Sequence, residues 1–492
     1  MSGTASGSLL LIAALLGTTA QTPARAAEIL ARTPAPMPEP SAAPAPTPAP
    51  ADTLRLSLDD AVKRALAQGE EMRVARAAVK QTSGQVTVEL ARALPQIDAT
   101  ITYDRKLQSI FEGAVSDTSS FSSLLKNSPF AAQNTWTAQI TAQQLLWSSG
   151  KVGSALGAAK AARRSAHASE EEAASAVTFA VRQAYYDASY AQRLVEIADR
   201  GLGQAREHLR QVRSAMGQGA KSEYDALRAE VDAANQEPAV VAASRGRDIA
   251  LLGLKRLANV PLDQPLALLT PLAFADSLVP VVTERSPSIA SRPAIAAADA
   301  EVEARRNAIR VYRGQHWPDL YVSSTLQQQA FPDAVLPRLN QFHRNWDAYL
   351  TIQVPIFSGL RTEGQVAQAQ SAYDKARADR DQIREVVAIE AVQARADLDR
   401  SLSTLMARRG TVRQAQRAWQ LADVRYANGM STQLEVSDAR LQLSTAEVNE
   451  VQAIRDYLVA LANLERAVGR AVPVARMTLE EATRALNREG SR

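Results

Sequence analysis

Residues 346–354 read Trp346-Asp347-Ala348-Tyr349-Leu350-Thr351-Ile352-Gln353-Val354, and residues 136–143 read Trp136-Thr137-Ala138-Gln139-Ile140-Thr141-Ala142-Gln143. Every second side chain is apolar: Trp346, Ala348, Leu350, Ile352 and Val354 in one stretch, Trp136, Ala138, Ile140 and Ala142 in the other. Successive side chains of a β-strand point to opposite faces, so each stretch offers one apolar and one polar face. Two further segments alternate in the same way. Ile97, Ala99, Ile101 and Tyr103 interleave with Gln96, Asp98, Thr100 and Thr102, while Leu320, Val322, Ser324 and Leu326 interleave with Asp319, Tyr321, Ser323 and Thr325. The strands are expected at about 95–104, 136–146, 319–327 and 346–357. Each is close to the ~9–11 residues of a tilted membrane-spanning strand.

Aromatic residues gather at the ends of these segments: Trp136, Trp147, Trp317, Trp346 and Phe357. Amphipathic rings bordering an apolar band are what a membrane interface favours. Strands of a soluble sheet also carry aromatic ends, but two equivalent hairpins, each joined to long helices, point to the membrane. Four strands cannot close a barrel, and unpaired edges are not tolerated in lipid. The chain is therefore expected to oligomerise, and three copies would supply about twelve strands, within the known barrel range. Thr, Gln, Asp and Ser would line a wet lumen, and the loops at about 105–134 and 328–345 would lie outside the cell.

Working outward from the hairpins, the chain repeats itself. Trp136–Ala142 aligns with Trp346–Ile352 at an offset of 210, and the same offset pairs Asp187 with Asp397, Gly219 with Gly429 and Ala229 with Ala439. Leu94-Pro95-Gln96-Ile97 aligns with Trp317-Pro318-Asp319-Leu320 at an offset of 223. Each copy reads helix, strand, loop, strand, long helix, tight turn, helix. No proline falls between Pro129 and Pro238 or between Pro355 and Pro473. Proline inside a helix costs about 3 kcal/mol, so such tracts read as long helices. The first, expected over 150–216, carries the seam Val177, Val181, Ala184, Ala188, Ala191, Val195, Ala198, Leu202, Ala205, Leu209, Val212, Met216. The second, over 359–427, carries Val387, Ala391, Ala394, Leu398, Ser401, Leu405, Arg408, Val412, Ala415, Trp419, Ala422, Tyr426, broken at Ser401 and Arg408. Steps alternating four and three are the period of a coiled coil, and so much alanine implies close packing. Return helices follow at 222–258 and 432–468.

Composition narrows the chemistry. Among 492 residues, 56 Lys+Arg against 52 Asp+Glu give a net charge of +4, too diffuse to argue for nucleic acid. There is no cysteine, which removes disulfides, thiolate metal sites, cysteine nucleophiles and a lipidated N-terminal cysteine. His167, His208, His316 and His343 are scattered, with no i, i+4 metal pair. Gly217-Gln218-Gly219-Ala220-Lys221-Ser222 has the wrong spacing for a phosphate loop. Glu170-Glu171-Glu172 reads as a solvated helix face, and Asp187 and Asp397, matched across the copies, as surface charges or else a buried pair. No catalytic set assembles, so neither an enzyme nor a cofactor is expected.

At the N-terminus, the apolar run Leu9–Leu16 followed by small residues resembles a secretory signal over 1–26, although no Lys or Arg precedes it. A plain tail is the other reading. Residues 27–53 form a Pro/Ala-rich spacer, favouring polyproline II. The first repeat is placed at 54–270, a connector at 271–290, the second repeat at 291–470 and a tail at 471–492.

The doubled architecture, the two strand openings at Leu94 and Trp317, the exit Gln353-Val354-Pro355-Ile356-Phe357-Ser358-Gly359 and the two glycine turns together resemble the TolC-like outer-membrane efflux protein family over roughly residues 54–470. The resemblance implies a mainly α fold with membrane β-strands: a homotrimer whose 12-stranded outer-membrane barrel continues into a long periplasmic α-helical barrel. It also implies docking at the tip with a periplasmic adaptor and an inner-membrane pump, in an outer membrane whose lipid surrounds the barrel. The turns Gly219-Ala220-Lys221-Ser222 and Gly429-Met430-Ser431-Thr432 would touch the adaptor, or serve only as turns. Lumen-facing carboxylates would be Glu435 and Asp438, and a gate would link Tyr426 to Asp225, so that Asp225→Ala or Tyr426→Phe would raise conductance. Where the family gate has an arginine, this chain has Ser431. Carboxylates at helix starts also simply suit the helix dipole. The alternative from another class is a soluble periplasmic coiled-coil scaffold or adaptor. The sequence leaves the cargo and the pump open.

Overall fold

The computed structural model describes residues 53–108, 132–272, 279–282, 288–478 and 481. The expected signal segment and nearly all of the spacer lie outside these residues, as do most of the loop at 105–134, part of the connector and most of the tail.

In chain order the described elements are β1 (Leu54–Leu56), α1 (Leu58–Gln68), α2 (Glu70–Ala91), β2 (Gln96–Arg105), β3 (Asn134–Trp147), α3 (Lys151–Gly217), α4 (Glu223–Leu257), β4 (Leu266–Leu268), β5 (Val279–Val282), α5 (Pro293–Gly314), β6 (Asp319–Ala330), β7 (His343–Gln353), α6 (Arg361–Ala427), α7 (Gln433–Val468) and β8 (Val474–Met477). The series α2-β2-β3-α3-α4 recurs as α5-β6-β7-α6-α7. Helix α3 and helix α6 each have 67 residues, roughly 100 Å at about 1.5 Å per residue. Among the described residues no helix is long and apolar enough to cross a membrane.

The four long strands form one antiparallel sheet in the order β2-β3-β6-β7. Its register sorts the side chains onto two faces. Ile97, Ala99 and Ile101 stand across from Ala142, Ile140 and Ala138, and the row continues through Leu326 to Trp346 and through Val322 to Leu350. The opposite face carries Thr100, Gln139, Gln327 and Asn345 in one row, and Asp98, Thr141, Thr325 and Asp347 in the next. Thr141 and Thr325 hydroxyls lie 3.4 Å apart. A bulge at the end of β3 turns Trp147 to the apolar face opposite Leu320.

Three expected boundaries need correction. Strand β7 begins at His343 and ends at Gln353 rather than running over 346–357. Pro355 cannot donate to a ladder and restricts the residue before it, so pairing stops short of Phe357. Trp346 is consequently the fourth residue of its strand, not its end. Strand β6 continues to Ala330, so the connection to β7 covers 331–342 rather than 328–345.

Sheet gives way to helix in the same manner in both repeats. Ser149 and Gly150 have φ of 53° and 77°, and their equivalents Gly359 and Leu360 have 65° and 63°. Two consecutive left-handed residues redirect the chain, a conformation that glycine adopts freely and Ser149 and Leu360 adopt under strain.

The main core lies around the middle of the long helices. Val177, Val181, Tyr185 and Ala188 of α3 pack with Leu56, Ala61, Ala65, Met72 and Leu254. Ala394, Leu398, Leu402 and Leu405 of α6 pack with Ile454, Tyr457, Leu464 and Val468 of α7. Short strands wrap this belt: β1 pairs in parallel with β4, and β5 antiparallel with β8. The Tyr185 hydroxyl donates to Leu56 O at 3.0 Å and accepts from Thr270 N at 2.9 Å. The Tyr457 hydroxyl donates to Pro280 O, and burial holds its ionisation well above the ordinary phenol range. The α3 seam is buried at most positions. In α6 the expected break at Arg408 is exposed and Ser401 is half-buried, its hydroxyl turned back to Leu398 O.

Charge also crosses this belt. Arg292, 3% exposed, meets Glu172 at 2.7 Å and Glu390 at 3.4 Å and donates to Arg466 O. Glu172 therefore does not belong to a merely solvated face: it helps to neutralise a buried guanidinium that must be paired. Asp187 is held by Arg455 at 2.5 Å, tying α3 to α7, while Asp397 pairs with Arg400 within α6. Gly469 closes α7 at φ 76°, and a Cβ there would stand 2.9 Å from Arg292 Cα.

Candidate functional site at the helical tip

The two helix reversals are built on one plan. After α3, Ala220 N donates to Ala215 O at 2.9 Å and Gly219 N to Met216 O at 2.9 Å. After α6, Met430 N donates to Arg425 O at 2.8 Å and Gly429 N to Tyr426 O at 3.0 Å. Both pairs of bonds form a Schellman motif, which needs a left-handed residue after the helix. Gly219 and Gly429 supply it, with φ of 76° and 72°.

The starts of the return helices differ. At α4, Ser222 accepts from Asp225 N at 3.2 Å, while Asp225 accepts from Ser222 N at 3.2 Å and from its hydroxyl at 2.8 Å. This is a reciprocal capping box. The Ser222 hydrogen bonds hold the Asp225 carboxyl below the usual carboxylate range, and Lys221 and Arg228 add to that. At α7, Thr432 accepts from Glu435 N at 3.4 Å, but Glu435 points elsewhere, with Arg425 at 4.0 Å. Asp438 is exposed three residues further on, and that spacing sets it on the same side of α7 as Glu435.

The link from Tyr426 to Asp225 is not made within the chain. Asp225 is engaged by Ser222, and the buried Tyr426 hydroxyl has no hydrogen-bond partner among the described residues. The Tyr426 ring is instead covered by Lys221, whose Nζ lies 3.8 Å from the ring centroid, a cation–π contact between the two repeats. Ser431, at the position of the family arginine, bonds back to Ala422 O at 3.3 Å. Met430 is exposed, and Ala220, Ser222 and Thr432 are exposed beside it.

Three tip residues were not singled out by sequence. Gln433 is buried, and its amide, suitably oriented, donates to Asp225 O and accepts from Ala229 N, both at 3.2 Å. Ser437 donates to Asp232, again joining α7 to α4. The His208 ring centroid lies 5.4 Å from that of Tyr426. The available signal for His208 was its place next to the seam residue Leu209, which turns it into the same groove.

At the other end, the polar face of the sheet is acidic. Its acidic residues are Asp98, Asp104, Asp319 and Asp347, of which Asp319 is neutralised by Lys151 at 2.6 Å. Tyr103 stacks at 5.0 Å on Trp136, whose indole donates to Val335 O at 2.7 Å. Trp147, Trp317, Trp346 and Phe357 are exposed. Both edge strands, β2 and β7, are exposed along their whole length.

A duplicated chain with a four-stranded two-faced sheet on helices of this length has the TolC-like fold. The model of the family described as outer membrane efflux protein matches residues 61–260 and 286–470, and the chain belongs to that family. The pyoverdine export outer membrane protein OpmQ of Pseudomonas aeruginosa is 25% identical over 429 residues, covering 84% of this chain and 85% of OpmQ. The outer membrane efflux protein BepC of Brucella suis is 24% identical over 297 residues, covering 58% of this chain and 62% of BepC. The open state of the MtrE outer membrane channel of Neisseria gonorrhoeae shares the fold, with a TM-score of 0.67, 21% identity, and coverage of 84% of this chain and 89% of MtrE.

Proposed function

We propose that this chain is the passive exit channel of a tripartite efflux or secretion system, in the outer membrane of a Gram-negative bacterium with most of its mass in the periplasm. The observation that carries the reading is the sheet: apolar on one face, polar on the other, with both edges open. Three copies joined edge to edge would form a closed wall of about twelve strands, removing every unpaired backbone group from lipid. The apolar rows face the acyl chains, and Trp136, Trp147, Trp317, Trp346 and Phe357 serve the interface. The long helices carry the lumen inward as a second, helical barrel.

The tip turns dock a periplasmic adaptor, which couples the channel to an inner-membrane pump. Asp225, Tyr426, Glu435 and Asp438 sit where the lumen narrows. Three-fold repetition of Glu435 and Asp438, together with Asp98 and Asp347 in the barrel, makes carboxylate rings that favour cations over anions. Energy comes from the pump, so the duct itself acts neither as an enzyme nor with a cofactor. Extraction tests the reading. The protein is expected to require detergent, to migrate as a heat-labile trimer and to carry cation-selective current in liposomes. A protein that stays in buffer as a monomer and carries no current would sink it.

A further inference from the structure

His208 is 8% exposed, and its Nε2 has no hydrogen-bond partner among the described residues. It lies on α3 and meets Tyr426 of α6, so the contact joins the outgoing helices of the two repeats. The Tyr426 hydroxyl beside it is also unpartnered, and Lys221 covers the other part of the same ring. The charged groups around the imidazole come from every neighbouring element: Lys221 from the first turn, Asp232 from α4, Asp423 from α6 and Arg440 from α7. Asp423 is exposed, and Asp232 already accepts from Ser437. A neutral imidazole can lie against the Tyr426 ring without a partner for a second ring N–H. An imidazolium would have Arg440 and Lys221 as well as Asp423 and Asp232 around it and no hydrogen-bond partner for an Nε2 proton, and a buried charge needs a partner.

We propose that His208 is a proton-sensing positioning residue of the tip: neutral, it locks α3 against α6 through Tyr426, and protonated, it releases that contact and opens the lumen. The inference rests on reading the tip as the constriction of the duct. Burial is the chief cause that lowers the pKa of His208 in the packed state, with Arg440 next and Lys221 in the same direction, against Asp423 and Asp232. Once the seam parts, the imidazole returns toward its ordinary value near 6.5. The open state then binds the proton more tightly, so the closed state dominates above that value and loses ground as the pH falls through and below it. The periplasm equilibrates readily with the medium, so external acid is the signal such a residue would read.

The test is open probability of the full-length protein in planar bilayers at pH 7.5 and at pH 5.5. Wild type is expected to open more at low pH, with a rise in the open-to-closed ratio of at most about tenfold, because pH 5.5 lies only about one unit below the open-state value near 6.5. His208→Gln and His208→Phe, the second keeping a ring against Tyr426, are expected to flatten the response while leaving the heat-labile trimer intact. A flat wild type, or an equal rise in both variants, overturns the proposal and leaves the duct standing. If wild type carries no current, the duct reading fails, and the seam is judged separately by maleimide labelling of Ser431→Cys. Labelling faster at pH 5.5 with His208 than with His208→Gln, which corrects for thiol ionisation, supports the seam release. Equal ratios overturn it.

Discussion

The belt around the middle of the helices and the tip at their far end are made of the same two helices, α3 and α6, yet they satisfy their polar groups differently. In the belt, Tyr185 and Tyr457 both have backbone partners and Arg292 is bracketed by Glu172 and Glu390, although Arg292 Nε, Glu172 Oε2 and Ser189 Oγ make no hydrogen bond among the described residues. At the tip, His208 and Tyr426 are buried with polar atoms unmatched, and Lys221 touches only the face of a ring. Moving Arg292 away from its carboxylates would break two ion pairs around a buried guanidinium, whereas parting His208 and Lys221 from the Tyr426 ring breaks none, so rearrangement costs more in the belt than at the tip. The difference assigns rigidity to the belt and motion to the tip.

Substitutions can break that contrast or sharpen it. The largest effect is expected from Arg292→Met, which strands Glu172 in a half-buried site: a loss of about 3 kcal/mol or more, read by chemical denaturation of the detergent-solubilised protein. Gly469→Ala should follow at about 2 kcal/mol, because its Cβ would meet Arg292 Cα at 2.9 Å and φ is 76°. Asp225→Ala removes a capping box for about 1 kcal/mol and is expected to raise single-channel conductance by loosening the start of α4. Since its folded carboxyl is lowered, the contribution of Asp225 is complete above the usual carboxylate value near 3.8 and disappears only below it. Capping should thus be indifferent between pH 5.5 and 7.5, the window in which His208 acts. The smallest effect is expected from Tyr426→Phe, within about 0.5 kcal/mol, since the hydroxyl it deletes bonds to nothing in the chain. If Tyr426→Phe destabilised the protein as much as Arg292→Met, belt and tip would not differ as described.

Much of the fold was legible because it rests on periodicity. Alternation in Trp136–Gln143 and Trp346–Val354 located strands and their faces, and the 3.5-residue seam located helices whose observed starts and ends fall within two residues of the expected ones. What escaped was set by contacts distant in sequence. Strand β7 stops early because Pro355 ends the ladder, a local fact that alternation alone overruns. Glu172 looked like one of three solvated acids, and only the fold brings Arg292 to it across 120 residues. At the tip the glycine turns were readable from φ requirements, whereas the choice of partner for Asp225 was not. Ser222 lies three residues away and competes successfully with any distant tyrosine. His208 and Gln433 gave no pattern of their own, since a single polar residue in a groove has no period.

The claim on which the rest depends is that edge strand β2 of one copy pairs with edge strand β7 of the next. The chain has no native cysteine, so pairs of cysteines introduced at positions of β2 and β7, scanned over register, report that junction directly in intact cells. Disulfide-linked dimers and trimers are expected on a non-reducing gel, confined to one register and lost when either strand carries no cysteine. Chains that remain uncrosslinked in every register would contradict that pairing.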